Sequence, residues 1–199
     1  AWSTDFDLYY APLDGSQPPK CLTEKNEAWD TQPAFSPDGK ILAYLAMAKP
    51  RYEADRFRIV LHNWSDGTKR VLTENWDRSP SSISWSADSK TIFATAENIG
   101  QSSLFAIDVK TGNVKIVVKD GTIGSPGMAG KQIVYAMDNL KSPVDLFSVN
   151  PDGSDPRAIT QINAEKVAST RMGDYEQFSF KGWNDEIVYC YVVKPVDFN

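Results

Sequence analysis

Pro33-Ala-Phe-Ser-Pro-Asp-Gly-Lys-Ile-Leu-Ala-Tyr44 and Ser82-Ile-Ser-Trp-Ser-Ala-Asp-Ser-Lys-Thr-Ile-Phe93 are two copies of one pattern. Each begins as a strand, turns at Asp-Gly or its substitute, and leaves as a second strand. A degenerate third copy runs Ser125-Pro-Gly-Met-Ala-Gly-Lys-Gln-Ile-Val-Tyr135. Between these copies lies a second kind of hairpin. It reads Asp7-Leu-Tyr-Tyr-Ala-Pro-Leu-Asp-Gly15, and recurs over 58–67, 103–112 and 145–153. The closing glycines, Gly15, Gly67, Gly112 and Gly153, follow one another by 52, 45 and 41 residues. A short strand comes after each turn, as in Cys21-Leu22-Thr23 and Val71-Leu72-Thr73.

Four strands every 40 to 50 residues, with almost no helical periodicity, is the repeat of a β-propeller. A lone four-stranded blade buries neither face, so neighbouring blades must stack. A β-sandwich offers no reason for Ser-Pro-Asp-Gly-Lys to recur with the same neighbours. The expected fold is all-β: a partial propeller of four-stranded antiparallel blades. Residues 1–24 supply the outer hairpin of one blade, and whole blades follow at about 31–74, 81–119 and 122–160. Three and a half blades do not close a ring, so further blades are expected before residue 1.

Composition narrows the function. With 21 Lys and Arg against 26 Asp and Glu, the net charge of −5 offers neither nucleic acid nor an anionic membrane a basic surface. The longest apolar runs have strand length. The single histidine, His62, excludes any metal site built on two imidazoles, and it is expected at the surface. No Gly-x-Ser-x-Gly elbow is present. Glycines 121, 124, 127 and 130 lack the Lys-Ser/Thr ending of a phosphate loop and suit a loop and weak strand. No cofactor or metal is expected. Cys21 and Cys190 lie too far apart in sequence for a redox or zinc motif; they could pair with each other or with missing sequence, and read first as buried thiols. Asn63-Trp-Ser65 is an acceptor sequon for N-glycosylation at Asn63.

One connection departs from the repeat. After Tyr44 the chain runs Leu45-Ala-Met-Ala-Lys-Pro-Arg-Tyr-Glu-Ala-Asp-Arg-Phe57, longer than its counterparts. Enlarged loops on rigid scaffolds are where binding residues collect. Glu53, Asp55 and Arg56 are the candidate substrate-binding residues there: two carboxylates suit an ammonium group, and the guanidinium suits a carboxylate or carbonyl. The plainer alternative is a solvated loop whose charges pair with one another.

The Phe35-Ser-Pro-Asp-Gly-Lys40 stretch resembles the TolB-like propeller unit. The C-terminal part is more specific: Gly173-Asp-Tyr-Glu-Gln-Phe-Ser-Phe-Lys-Gly182, followed by Glu186-Ile-Val-Tyr-Cys-Tyr-Val-Val-Lys-Pro195. That order resembles the passage from propeller to α/β-hydrolase domain in the prolyl oligopeptidase family of serine peptidases. Arg51–Phe57 and Arg171–Phe178 most resemble its secreted dipeptidyl peptidases. The resemblance implies that residues 166–199 are a linker and the first strands of the hydrolase domain. It also implies that the catalytic residues lie beyond Asn199 and that the propeller gates access for a peptide substrate. Glu53 and Asp55, with Arg56, would then grip the free peptide N-terminus. The competing reading is a non-enzymatic TolB-like protein-binding module, in which residues 174–195 add strands to a blade.

Overall fold

A computed structural model describes residues 4–198. The chain divides into two compact units, Ala1–Ala96 with Ala106–Lys115, and Glu97–Phe105 with Ile116–Asn199.

In the first unit, β1 (Tyr9–Tyr10) and β2 (Lys20–Cys21) form a two-stranded ladder. Then β3 (Asp30–Phe35), β4 (Ile41–Ala46), β5 (Arg58–Asn63) and β6 (Lys69–Val71) form a four-stranded antiparallel meander in sequence order. Next comes the hairpin of β7 (Pro80–Trp85) and β8 (Thr91–Asn98). β9 (Gln101–Asp108) and β10 (Val114–Val118) continue that meander, and the unit boundary passes through them. In the second unit, β11 (Thr122–Ala129), β12 (Gln132–Asn139), β13 (Ser142–Val149) and β14 (Arg157–Ala158) repeat the order. A single parallel pair, Thr122 with Ser102, links β11 to β9. The glycine-rich stretch at 121–130 is therefore a strand, bent by a register shift between Gly124 and Gly127.

The burial pattern separates blades from a sandwich. In a sandwich one face of each strand meets water, so burial alternates. In β4, Leu42, Ala43, Tyr44, Leu45 and Ala46 are all buried, and β5 is buried from Ile59 to His62. One face of this sheet meets the β1–β2 hairpin, where Leu8, Tyr44, Ala46 and Val60 cluster with Leu22. The other meets the β7–β8 hairpin, where Trp85 Nε1 donates to the Ala34 carbonyl at 2.9 Å and Gln32 Nε2 to that of Ser81 at 2.8 Å. A sheet covered on both faces by neighbouring hairpins is a propeller blade.

The repeated residues close the turns. Ser36 Oγ donates to Asp38 Oδ1 at 2.7 Å and accepts from the Ile41 amide at 3.0 Å. Ser86, Asp88 and Thr91 reproduce both bonds at 2.7 and 2.9 Å. The aspartate one residue before the hairpin glycine (Asp14, Asp66 or Asp152) accepts the amide two residues on, and Asp108 does the same four residues before Gly112. The hydroxyls of Thr68, Thr111 and Ser154 bond Asp66, Asp108 and Asp152 as well. These hydroxyl bonds together with the amides hold all four aspartates below their ordinary pKa, the amide leading only at Asp14.

Beyond the blades, α1 (Ala164–Ser169) leads to β15 (Tyr175–Lys181), a short 3-10 turn at Trp183–Asp185 and β16 (Ile187–Val193). Among the described residues β15 and β16 pair only with each other, from Tyr175 opposite Val193 to Lys181 opposite Ile187. They add no strand to a blade, contrary to what a TolB-like module requires. No helix among the described residues is long and apolar enough to cross a membrane.

Two expectations need correction. Cys21 and Cys190 are free but half-buried rather than buried. His62 is buried rather than at the surface, because its β5 position is covered by the adjoining hairpin and the Trp64 ring, 5.7 Å away. Burial and the nearby Lys69 lower its pKa, which favours the neutral imidazole.

Candidate functional site

The enlarged connection between β4 and β5 is pinned from inside. Asp55 Oδ2 accepts the amides of Ala48 at 2.7 Å and Lys49 at 3.0 Å, and pairs with Arg58 at 3.3 Å. Its side chain is 6% exposed. Burial opposes its charge, but those two amides and the guanidinium outweigh burial and hold the carboxyl below its ordinary value. Arg51 sits at φ +61° at the bend, and Lys49 Nζ lies 5.2 Å over the Tyr52 ring. Arg56 donates to the carbonyls of Thr73 at 3.2 Å and Glu74 at 2.5 Å, tying the loop to the exit of β6.

The three sequence candidates therefore sit in one loop and face different ways. Asp55 and Arg56 spend their polar atoms on the loop and its neighbour. Glu53 is exposed, and among the described residues its carboxylate has no hydrogen bond or ion pair. It is the free anion of the loop. Asn63 stands half-buried at the end of β5, its Oδ1 accepting from the amide and hydroxyl of Ser65 at 3.0 and 2.9 Å.

Sequence reasoning passed over the segment beneath this loop. Asn26 donates to both Asp30 and the Met47 carbonyl, and Trp29 packs edge-on against Phe57 at 5.7 Å. In letters alone Trp29-Asp30 resembles Trp76-Asp77. The structural counterpart of Trp76 is Asn26, since the amides of both donate three residues back, to Thr73 and Thr23.

In the second unit, the turns between second and third strands meet the terminal hairpin. Gln177 Nε2 donates to the Ile99 carbonyl at 2.8 Å, Gln101 Nε2 to the Tyr191 hydroxyl at 2.6 Å, and Lys141 Nζ to Asp174 at 2.6 Å. A cleft of about 870 Å³ lies there, lined by Asp120, Asp138, Lys141, Tyr175, Gln177 and Tyr191 among others. Gly100, at φ +74°, lets the hairpin approach: a Cβ there would stand 2.6 Å from the Tyr191 ring.

Stacked four-stranded meanders followed by a separate hairpin define the class as a β-propeller of the kind found in TolB and in certain peptidases. Among solved structures, the acylaminoacyl peptidase of Pyrococcus horikoshii matches with a TM-score of 0.75 at 17% identity, over 95% of this chain and 28% of that one. TolB of Acinetobacter baumannii matches with a TM-score of 0.62 at 24% identity, over 80% of this chain and 39% of that one. At these identities the likeness is one of fold.

Sequence relatives are more particular. The chain is 31% identical over 210 residues to the probable dipeptidyl-peptidase 5 of Trichophyton verrucosum, and 32% identical over 208 residues to that of Emericella nidulans. Each alignment takes in 96% of this chain and 28% of the relative, so the chain spans about a quarter of their length. The resemblance to dipeptidyl peptidases is borne out by these relatives. No protein-family model matches the chain.

Proposed function

We propose that this chain is the propeller part of a secreted serine-type dipeptidyl peptidase, whose catalytic residues lie in an α/β-hydrolase domain after residue 199. Further blades precede residue 1 and complete the ring, which gates access for peptides. Glu53 takes the free N-terminal ammonium of the substrate, while Asp55 and Arg56 hold the loop that presents it. Asn63 carries a glycan in the secreted protein.

One observation carries this reading. In the 81–119 and 122–160 blades, the turns between second and third strands are the ones that touch the 174–193 segment. The loop bearing Glu53 is that same connection in the 31–74 blade. Of these equivalent connections it is the enlarged one, and Glu53 is its free carboxylate. The hairpin itself exposes Phe178, Phe180, Trp183 and Tyr189 by 47% to 83%, an apolar surface suited to cover by following strands.

The test is an assay of the full-length protein that carries this chain. It should release dipeptides from peptides with free N-termini and lose activity to an organophosphonate fluoride, which labels a nucleophilic serine. No dipeptide release, or activity abolished by a metal chelator and untouched by the fluoride, would refute the reading.

A further inference from the structure

Residues 26–29, joining β2 to β3, grip the Glu53 loop at both ends with Asp30, the first residue of β3, behind them. At the first end, Asn26 Nδ2 donates to the Met47 carbonyl at 3.1 Å, and the Met47 amide donates to the Trp29 carbonyl at 2.8 Å. At the second, the Trp29 ring packs against Phe57, and also against Phe6 at 4.8 Å. Asn26 is in turn fixed by Asp30, whose Oδ2 accepts from the same Nδ2 at 2.9 Å. Asp30 is 2% exposed, and its Oδ1 has no hydrogen-bond partner among the described residues.

That orphaned oxygen makes the carboxyl sensitive to charge. The groups that act on it are Asn26 beside it, Tyr44 on β4, Lys69 on β6, and Asp5 and Asp7 ahead of β1. A buried carboxylate with one amide donor and two like-charged neighbours is poorly solvated, whereas the neutral acid fits.

We propose that Asp30, acting through Asn26, is a positioning residue for the loop that carries Glu53: the neutral carboxyl keeps the clamp closed, and its ionisation loosens it. The inference rests on reading that loop as the substrate site. Burial, aided by Asp7 and Asp5 against the Asn26 bond and Lys69, raises the Asp30 pKa to about 7 from 3.8. A raised carboxyl pKa means the folded clamp binds its proton more tightly than the unfolded chain does. Its stability is thus greatest below the unfolded value, declines as pH climbs, and reaches its floor above about 7. An ionised Oδ1 draws water into the 26–30 segment, and the Asn26 bond to Met47 is the link that opens.

Hydrogen exchange on the full-length protein tests this across pH, after correction for intrinsic rates. Amides of 47–57 should be about tenfold less protected near pH 8.5 than near pH 5.5. Asp30→Asn keeps an oxygen for Asn26 and cannot ionise, so its protection should stay high at both. Asn26→Ala should lose protection at both. For a peptide with a free N-terminus, whose own ammonium deprotonates near about pH 8, the wild-type KM should rise with pH more steeply than that of Asp30→Asn, while kcat holds in both. Wild-type protection that ignores pH, or an Asp30→Asn profile that still follows it, overturns the clamp. Exchange that follows Asp30 while KM does not would keep the clamp and remove the loop from the substrate site.

Discussion

Removing the Asp55 carboxylate should unfasten the enlarged loop without touching the blades. Three groups converge on Oδ2: the amides of Ala48 and Lys49 and the Arg58 guanidinium, at 2.7, 3.0 and 3.3 Å. Asp55→Ala leaves all three without this acceptor. A stranded buried donor costs about 1–3 kcal/mol, and water reaching a surface loop recovers part of that, so the local cost is about 2–4 kcal/mol. Asp55→Asn keeps a neutral acceptor and should cost roughly half as much. The Asp55 pKa is depressed, so its stabilisation is complete above the unfolded value of 3.8 and disappears as pH falls through the lower folded value. Wild type and Asp55→Asn should therefore converge in strong acid. The assay is hydrogen exchange at the Ala48 and Lys49 amides, where about 2 kcal/mol corresponds to a roughly thirtyfold loss of protection. Glu53→Gln should leave both amides as they are. Unchanged protection in Asp55→Ala would refute the division of labour between the two carboxylates.

Gly100→Ala should push the terminal hairpin off the Ile99 turn, because its Cβ meets the Tyr191 ring at 2.6 Å and its φ is +74°. Faster limited proteolysis within 174–193 is the expected result, and an unchanged rate would contradict the close approach. Ser36→Ala and Ser86→Ala each remove the same two turn bonds and should destabilise by matching amounts, about 1 kcal/mol apiece. Urea unfolding that separates them by much more than that would show the two turns are not equivalent.

The sequence revealed the blades because their turn chemistry is local. Ser-x-Asp closes one hairpin and Asp-Gly or Asp-x-x-x-Gly the other, with each bond spanning two to five residues. A repeat of such bonds shows itself as a repeat of letters. The enlarged loop was legible for a different reason, as the one connection that broke the spacing. Which of its charges are free was not legible, since Asp55 is consumed by amides six and seven residues away, and a backbone donor leaves no mark in sequence. The Asn26–Asp30 clamp was hidden too. It acts across 21 residues, from Asn26 to Met47, and a side-chain bond to a distant carbonyl leaves no mark in sequence. His62 looked exposed because a polar residue beside a turn usually is, yet β5 is covered on both faces.

The proposed role of Glu53 is to bind the free N-terminal ammonium of a peptide. The direct measurement compares kcat/KM of the full-length wild type and Glu53→Gln on one peptide with a free and with an acetylated N-terminus. A lost charge-assisted contact of about 1.5–3 kcal/mol predicts a tenfold to hundredfold fall for the free peptide. The acetylated one, already a poor substrate, should change less than about twofold. Equal effects on both peptides, or none on either, would contradict the account.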